Sequence, residues 1–186
     1  MKQKVSDYIA DRLAQEGISQ VFTVTGGGAM HLNDSLGHHP GLSCLYHHHE
    51  QAAAMAAEAY ARVDNRMAAV CVTSGPGATN AITGALCAWM DSIPMLVLSG
   101  QVRYDTTVRH SGLKIRTMGV QEYDITPSVE PMTKYAVMVT DPLTIRYHLE
   151  RAIYMAKTGR PGPCWLDLPL NVQSAVVETD DLKAYD

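Results

Sequence analysis

The chain has few cysteines and no pairing pattern among them. Cys44, Cys71, Cys87 and Cys164 lie far apart among Ala, Val, Leu and Trp, and no Cys-x-x-Cys occurs. That argues against a disulfide scaffold or a zinc knuckle and predicts reduced core cysteines in a cytoplasmic protein. Charge is also sparse. Only 18% of residues are charged, the net charge is −4, and no long basic run occurs, so nucleic acid and polybasic membrane contacts find no support. No long uninterrupted apolar stretch is present, so no membrane span is expected, and Met1 to Asp11 lacks the apolar core of a signal peptide. Internal repeats and low-complexity segments are missing too.

What is present is a globular composition. Apolar residues make up 46% of 186 residues, enough for one domain, or one domain with a tail, that needs no disulfide or metal staples. Short apolar strands are predicted at 21–25, 42–46, 67–73, 93–99, 134–139 and 164–168. Helices are predicted near 5–16, 29–36, 50–63, 78–90 and 142–157, the last with Asp141 as N-cap and Pro142 in its first turn. Strands that are apolar throughout and alternate with helices imply a three-layer α/β/α fold around a mostly parallel sheet of about six strands. Such sheets place ligands at the carboxyl ends of their strands. Two turns fall there: Gly26-Gly27-Gly28 and Ser74-Gly75-Pro76-Gly77.

Neither turn is a nucleotide fingerprint. A Gly-x-Gly-x-x-Gly pattern would need glycine at His31, and the second turn has no Walker lysine. The cluster His47-His48-His49-Glu50 lacks a third ligand at metal spacing, so no metal site is assigned. Glu50 itself opens an alanine-rich helix directly after a strand. The simplest account is a first-turn Glu favoured by the helix dipole. The small residues around it, however, predict close packing and burial. A carboxyl held between desolvation, which opposes its charge, and the dipole, which favours it, can share a proton with a ring nitrogen. Thr79 and Asn80 cap and turn the next helix; alternatively, with Gly75 to Gly77, they form a platform for a flat ring, since Asn offers both a donor and an acceptor.

Together these segments resemble a known family. His49-Glu50-Gln51-Ala52-Ala53, Ala59-Tyr60-Ala61-Arg62, Thr73-Ser74-Gly75-Pro76-Gly77-Ala78-Thr79-Asn80, Met90-Asp91-Ser92-Ile93-Pro94, Gly100-Gln101-Val102, Gly159-Arg160-Pro161-Gly162-Pro163 and Leu168-Pro169 keep the order and spacing of the pyrimidine-binding (PYR) domain of thiamine-diphosphate enzymes. The likeness is closest to the acetolactate synthase-like branch. It covers nearly the whole chain and implies a PYR domain over residues 1–175, with 176–186 beginning an interdomain linker.

By that resemblance Glu50 hydrogen-bonds N1′ of the aminopyrimidine and exchanges a proton with it. Val24, Thr25, Gly26 and Gly27 contact the aminopyrimidine, and Pro76 and Asn80 lie against the ring or its partner groups. Gln121 is the glutamine near the substrate, so Glu50 and Gln121 are the candidate catalytic residues. The chain departs from the family's pattern at Thr25, where Pro is usual, at Val120, where Phe is usual, and over Arg103 to Arg116; all three departures bear on the substrate. The family holds Mg²⁺ and the diphosphate on a separate domain marked by Gly-Asp-Gly and a later Asn, a stretch this sequence does not contain. The resemblance therefore implies a half-site, inactive alone, that meets the diphosphate-binding domain of the same or a partner chain in a homodimer or dimer of dimers. It leaves room for FAD in the full enzyme. The implied reaction is decarboxylation of pyruvate or another small 2-oxo acid with acyl transfer to an acceptor. A 2-oxo acid decarboxylase and a non-catalytic PYR-type assembly subunit are the alternatives. A linker truncation and a separate subunit of a split enzyme both fit the polar residues 178–186.

Overall fold

The computed structural model describes residues 1–186, the side chain of Asp64 apart. Strand β1 (Lys2–Lys4) runs into helix α1 (Val5–Gln15), followed by β2 (Gln20–Thr23), α2 (Met30–His38), β3 (Ser43–Tyr46) and α3 (Glu50–Asp64). Next come β4 (Ala68–Val72), α4 (Pro76–Asn80), α5 (Ile82–Asp91), β5 (Met95–Gln101), α6 (Val108–Ser111) and α7 (Thr126–Val129). The chain closes with β6 (Tyr135–Met138), α8 (Ile145–Lys157), β7 (Pro163–Pro169), α9 (Leu170–Gln173) and β8 (Val176–Glu178).

Six strands form one sheet in the order β3-β2-β4-β5-β7-β6, and every neighbouring pair is parallel. Side chains on a strand alternate between faces, and the core divides on that period. Val21, Ala69, Cys71, Leu96, Leu98, Cys164 and Leu166 face α1, α2 and α8. Phe22, Val70, Val72, Met95, Val97 and Trp165 face α3, α5 and α7. This is the expected three-layer architecture.

The second face is lined by small residues, and the backbones come close there. Ala53, Ala54, Ala57 and Ala61 of α3 are buried against α5. A Cβ on Gly84 would lie 2.4 Å from that of Ala54, so α5 needs glycine at the crossing. The single helix expected over 78–90 is two helices. Ala81 turns between them, and α5 ends at Ser92 in the left-handed region (φ 62°). Asp141 is the N-cap expected, accepting from the Leu143 N–H at 2.9 Å, but the turn it caps is 3₁₀ and the α-helix begins at Ile145.

Residues 176–186, expected to begin a linker, carry β8. It pairs antiparallel with β1, Lys2 opposite Glu178 and Lys4 opposite Val176. Val177 and Leu182 are buried, and the terminal ammonium lies 2.7 Å from Asp180 Oδ2. No helix among the described residues is long and apolar enough to cross a membrane.

Candidate functional site

The chain leaves β2 for β3 on one side and returns to β4 on the other. The carboxyl ends of β2 and β4 therefore flank the point where strand order reverses, the usual ligand position in an open parallel sheet. Both glycine turns lie at this point and lean on one another. A Cβ at Gly26 would come 2.4 Å from that of Thr73, and one at Gly28 would come 2.7 Å from Ser74 Oγ. Thr73 Oγ1 accepts the Gly28 N–H at 3.0 Å, and Asn33 Nδ2 donates to the Gly26 carbonyl at 3.3 Å.

Helix α3 starts here. His49 is its N-cap, in extended conformation, and its ring Nδ1 accepts the Gln51 N–H at 3.1 Å. Glu50 is thus the first helical residue. Its Oε2 accepts from Asn80 Nδ2 at 2.9 Å. No donor among the described residues reaches its Oε1, and a Cβ on Gly77 would stand 3.2 Å from that oxygen. The expected burial of Glu50 is not found; it is only half-buried. The alanines cover the inner face of α3, whereas Glu50 sits at the end of the helix, on the open rim.

Thr25, Gly27 and Pro76 are exposed on that rim, and Val24, Gly26 and Asn80 are half-buried. No hydrogen bond ties Val24 or Thr25 to Glu50. Gln121 joins the cluster through its main chain. Gly75 has φ 56° and ψ −117°, and a Cβ there would lie 2.1 Å from the Gln121 carbonyl oxygen. Gln121 is itself left-handed (φ 57°), which is uncommon outside glycine. Its side chain is exposed.

The irregular stretch after β5 forms an arch that ends at this turn. Glu122 holds it shut: Oε1 accepts from the Val108 N–H, and Oε2 from the N–H groups of Met118 and Gly119. Thr73, Asn33 and Glu122 were not picked out as site residues by sequence reasoning. Thr73 could have been, as a β-branched hydroxyl residue between a strand and a glycine turn. Among the described residues no group of three or more His, Cys, Asp or Glu is placed to hold a metal ion. His47 packs instead beside Phe22, ring centroids 5.9 Å apart.

The result is a carboxylate with one oxygen anchored and one without a donor, at a helix N-terminus, between two glycine-rich turns. A flat heterocycle with a ring nitrogen fits this rim: glycine and proline let it approach the backbone, and Glu50 Oε1 is free to meet the nitrogen.

The fold and this site define a class, an α/β cofactor-binding domain with its ligand loops at the strand-order reversal. The family is narrower. The family model described as "Thiamine pyrophosphate enzyme, N-terminal TPP binding domain" matches residues 3–123, and the chain belongs to that family. The chain is 37% identical over 177 residues to the acetolactate synthase large subunit of Lactococcus lactis, covering 95% of this chain and 29% of that protein. It is 38% identical over 167 residues to the acetolactate synthase isozyme 3 large subunit of Escherichia coli, covering 90% and 28%. Acetolactate synthase 1, chloroplastic, of Oryza sativa is 34% identical over 174 residues, covering 92% and 25%. The chain thus spans between a quarter and three-tenths of the length of these relatives.

Proposed function

We propose that this chain is the aminopyrimidine-binding half of a thiamine-diphosphate-dependent enzyme of the acetolactate synthase type, acting on pyruvate or a similar 2-oxo acid and passing the acyl group to an acceptor. The observation that carries the reading is Glu50: Asn80 anchors Oε2, while Oε1 has no donor among the described residues and lies beside Gly77, where no side chain blocks it. When bound, the cofactor supplies a carbon nucleophile and an electron sink for decarboxylation. Glu50 holds and exchanges a proton at a ring nitrogen through Oε1, while Asn80 keeps the carboxylate from rotating. The backbone of Val24, Thr25, Gly26 and Gly27 lines one edge of the ring, Pro76 lies against it, and Gln121 stands on the substrate side. Mg²⁺ and the diphosphate belong to another domain, of the same or a partner chain, which covers the open rim in a homodimer or dimer of dimers. Any FAD is held outside this chain. The four free cysteines fit a cytoplasmic enzyme.

Glu50→Gln in the complete enzyme should leave the fold intact and lower turnover by about 10²-fold or more, as removal of a general acid–base does. Near-normal turnover would reject the assignment. Product analysis separates the two reaction types, because acyl transfer yields a new carbon–carbon bond and simple decarboxylation yields free aldehyde.

A further inference from the structure

Beneath the arch lies a buried polar cluster with no part in the reading above. Asp167 of β7 is fully buried. Its Oδ1 accepts from Ser99 Oγ at 2.6 Å, and its Oδ2 accepts from Gln101 Nε2 at 3.1 Å. The directions of these bonds are fixed by their neighbours. Trp165 Nε1 donates to Ser99 Oγ at 2.8 Å, which turns the serine proton toward Asp167. Gln101 Oε1 accepts the Val102 N–H at 3.0 Å, which sets the orientation of its amide. The second proton on Gln101 Nε2 goes to the Tyr123 carbonyl at 2.8 Å. Tyr123 lies two residues beyond Gln121.

We propose that Asp167 is a positioning residue: acting through Gln101, it holds the Tyr123 carbonyl and with it the turn that seats Gln121 against Gly75. Only the link from this turn to a substrate rests on the function proposed for Gln121; the latch itself rests on the hydrogen bonds.

The latch is tied to the charge of Asp167. Both hydrogen bonds to the carboxylate come from donors, an arrangement that suits an ionised acid. Burial opposes ionisation and pushes the group up to about 7; the Ser99 and Gln101 bonds pull the other way, Asp124 adds to the rise and Arg109 counters it. Arg109 Nη1 lies 3.4 Å from both Asp124 Oδ2 and Thr126 Oγ1. A proton on Oδ2 would face the donor on Gln101. That hydrogen bond is then lost, and the Gln101 amide, freed on one side, holds the Tyr123 carbonyl less firmly. Asn at this position presents the same donor as the neutral acid.

The test is amide hydrogen exchange and Trp165 indole N–H resonance on the full chain from about pH 6 to about pH 8.5, corrected for intrinsic exchange. In the native chain, amides 119–124 should exchange about tenfold faster at the acid end, with the indole signal moving over the same midpoint. Asp167→Asn should exchange fast at both ends and abolish the indole titration. Gln101→Met keeps the acid and removes the link, so the indole still titrates while amides 119–124 exchange fast throughout; it serves if Asp167→Asn does not fold. Two outcomes overturn the proposal: an indole titration with no change at 119–124, or faster exchange spread evenly over β5 and β7, which marks a simple core residue. In the complete enzyme the same variants should raise KM for pyruvate by a larger factor than they lower kcat. If exchange responds as expected and KM does not, the latch stands and the substrate role of Gln121 falls.

Discussion

Gly75 shows how much one missing side chain does at this site. Its backbone angles suit glycine alone, and the space a Cβ would occupy is filled by the Gln121 carbonyl. Gly75→Ala should cost about 2 kcal/mol or more in urea denaturation and should free the arch, read as faster proteolysis within 108–121. An unchanged midpoint with an intact arch would show that the turn can relax. The role of Gly75 was legible in the sequence only as half of a turn, because its partner lies 46 positions away in a stretch with no periodicity. Glu50 was more legible. A carboxylate opening an alanine-rich helix just after a strand is a local pattern, and α3 begins where that pattern starts. Its degree of burial was not, since exposure at a helix end depends on what stands opposite, and here that is open rim.

At the scale of elements, the strands were the best predicted part. Runs such as Ala68 to Val72 and Met95 to Leu98 are apolar on both faces, which only a sheet covered on both sides explains. The break at Ala81 was missed because no glycine or proline marks it. β1 and β8 were missed because their sequences, Lys-Gln-Lys and Val-Val-Glu, are only three residues long; only the pairing of one with the other makes them strands. That pairing can be tested by cutting the chain after Ala175. The shortened chain loses the partner of β1 and the buried Val177 and Leu182, and its thermal midpoint should fall by several degrees, on the order of what about 2 kcal/mol gives for a domain of this size. An unchanged midpoint would mean that residues 176–186 add nothing to the fold.

For the molecule as a whole, Asp167 sets a pH dependence whose sign follows from its environment. The ordinary value for the group is 3.8, and in the folded chain it stands near 7. Between these values the folded chain holds a proton that the unfolded chain has released. This contribution to stability is therefore full below about pH 4, declines as pH rises to about 7, and is flat above, a change on the order of a few kcal/mol. Urea denaturation at about pH 5 and about pH 8 should show the native chain losing more stability than Asp167→Asn over that interval. Parallel losses would mean that the acid keeps its ordinary value in the fold.

The β1–β8 ribbon has a geometric consequence of another kind. It brings residues 2 and 178 face to face, and the residues beyond run on along α8, where the Tyr185 N–H donates to Glu150. Strands tied in this way do not pull on the rest of the body, so a short linker could rejoin residues 2 and 178, or the fold could be set into a host loop, without stretching it.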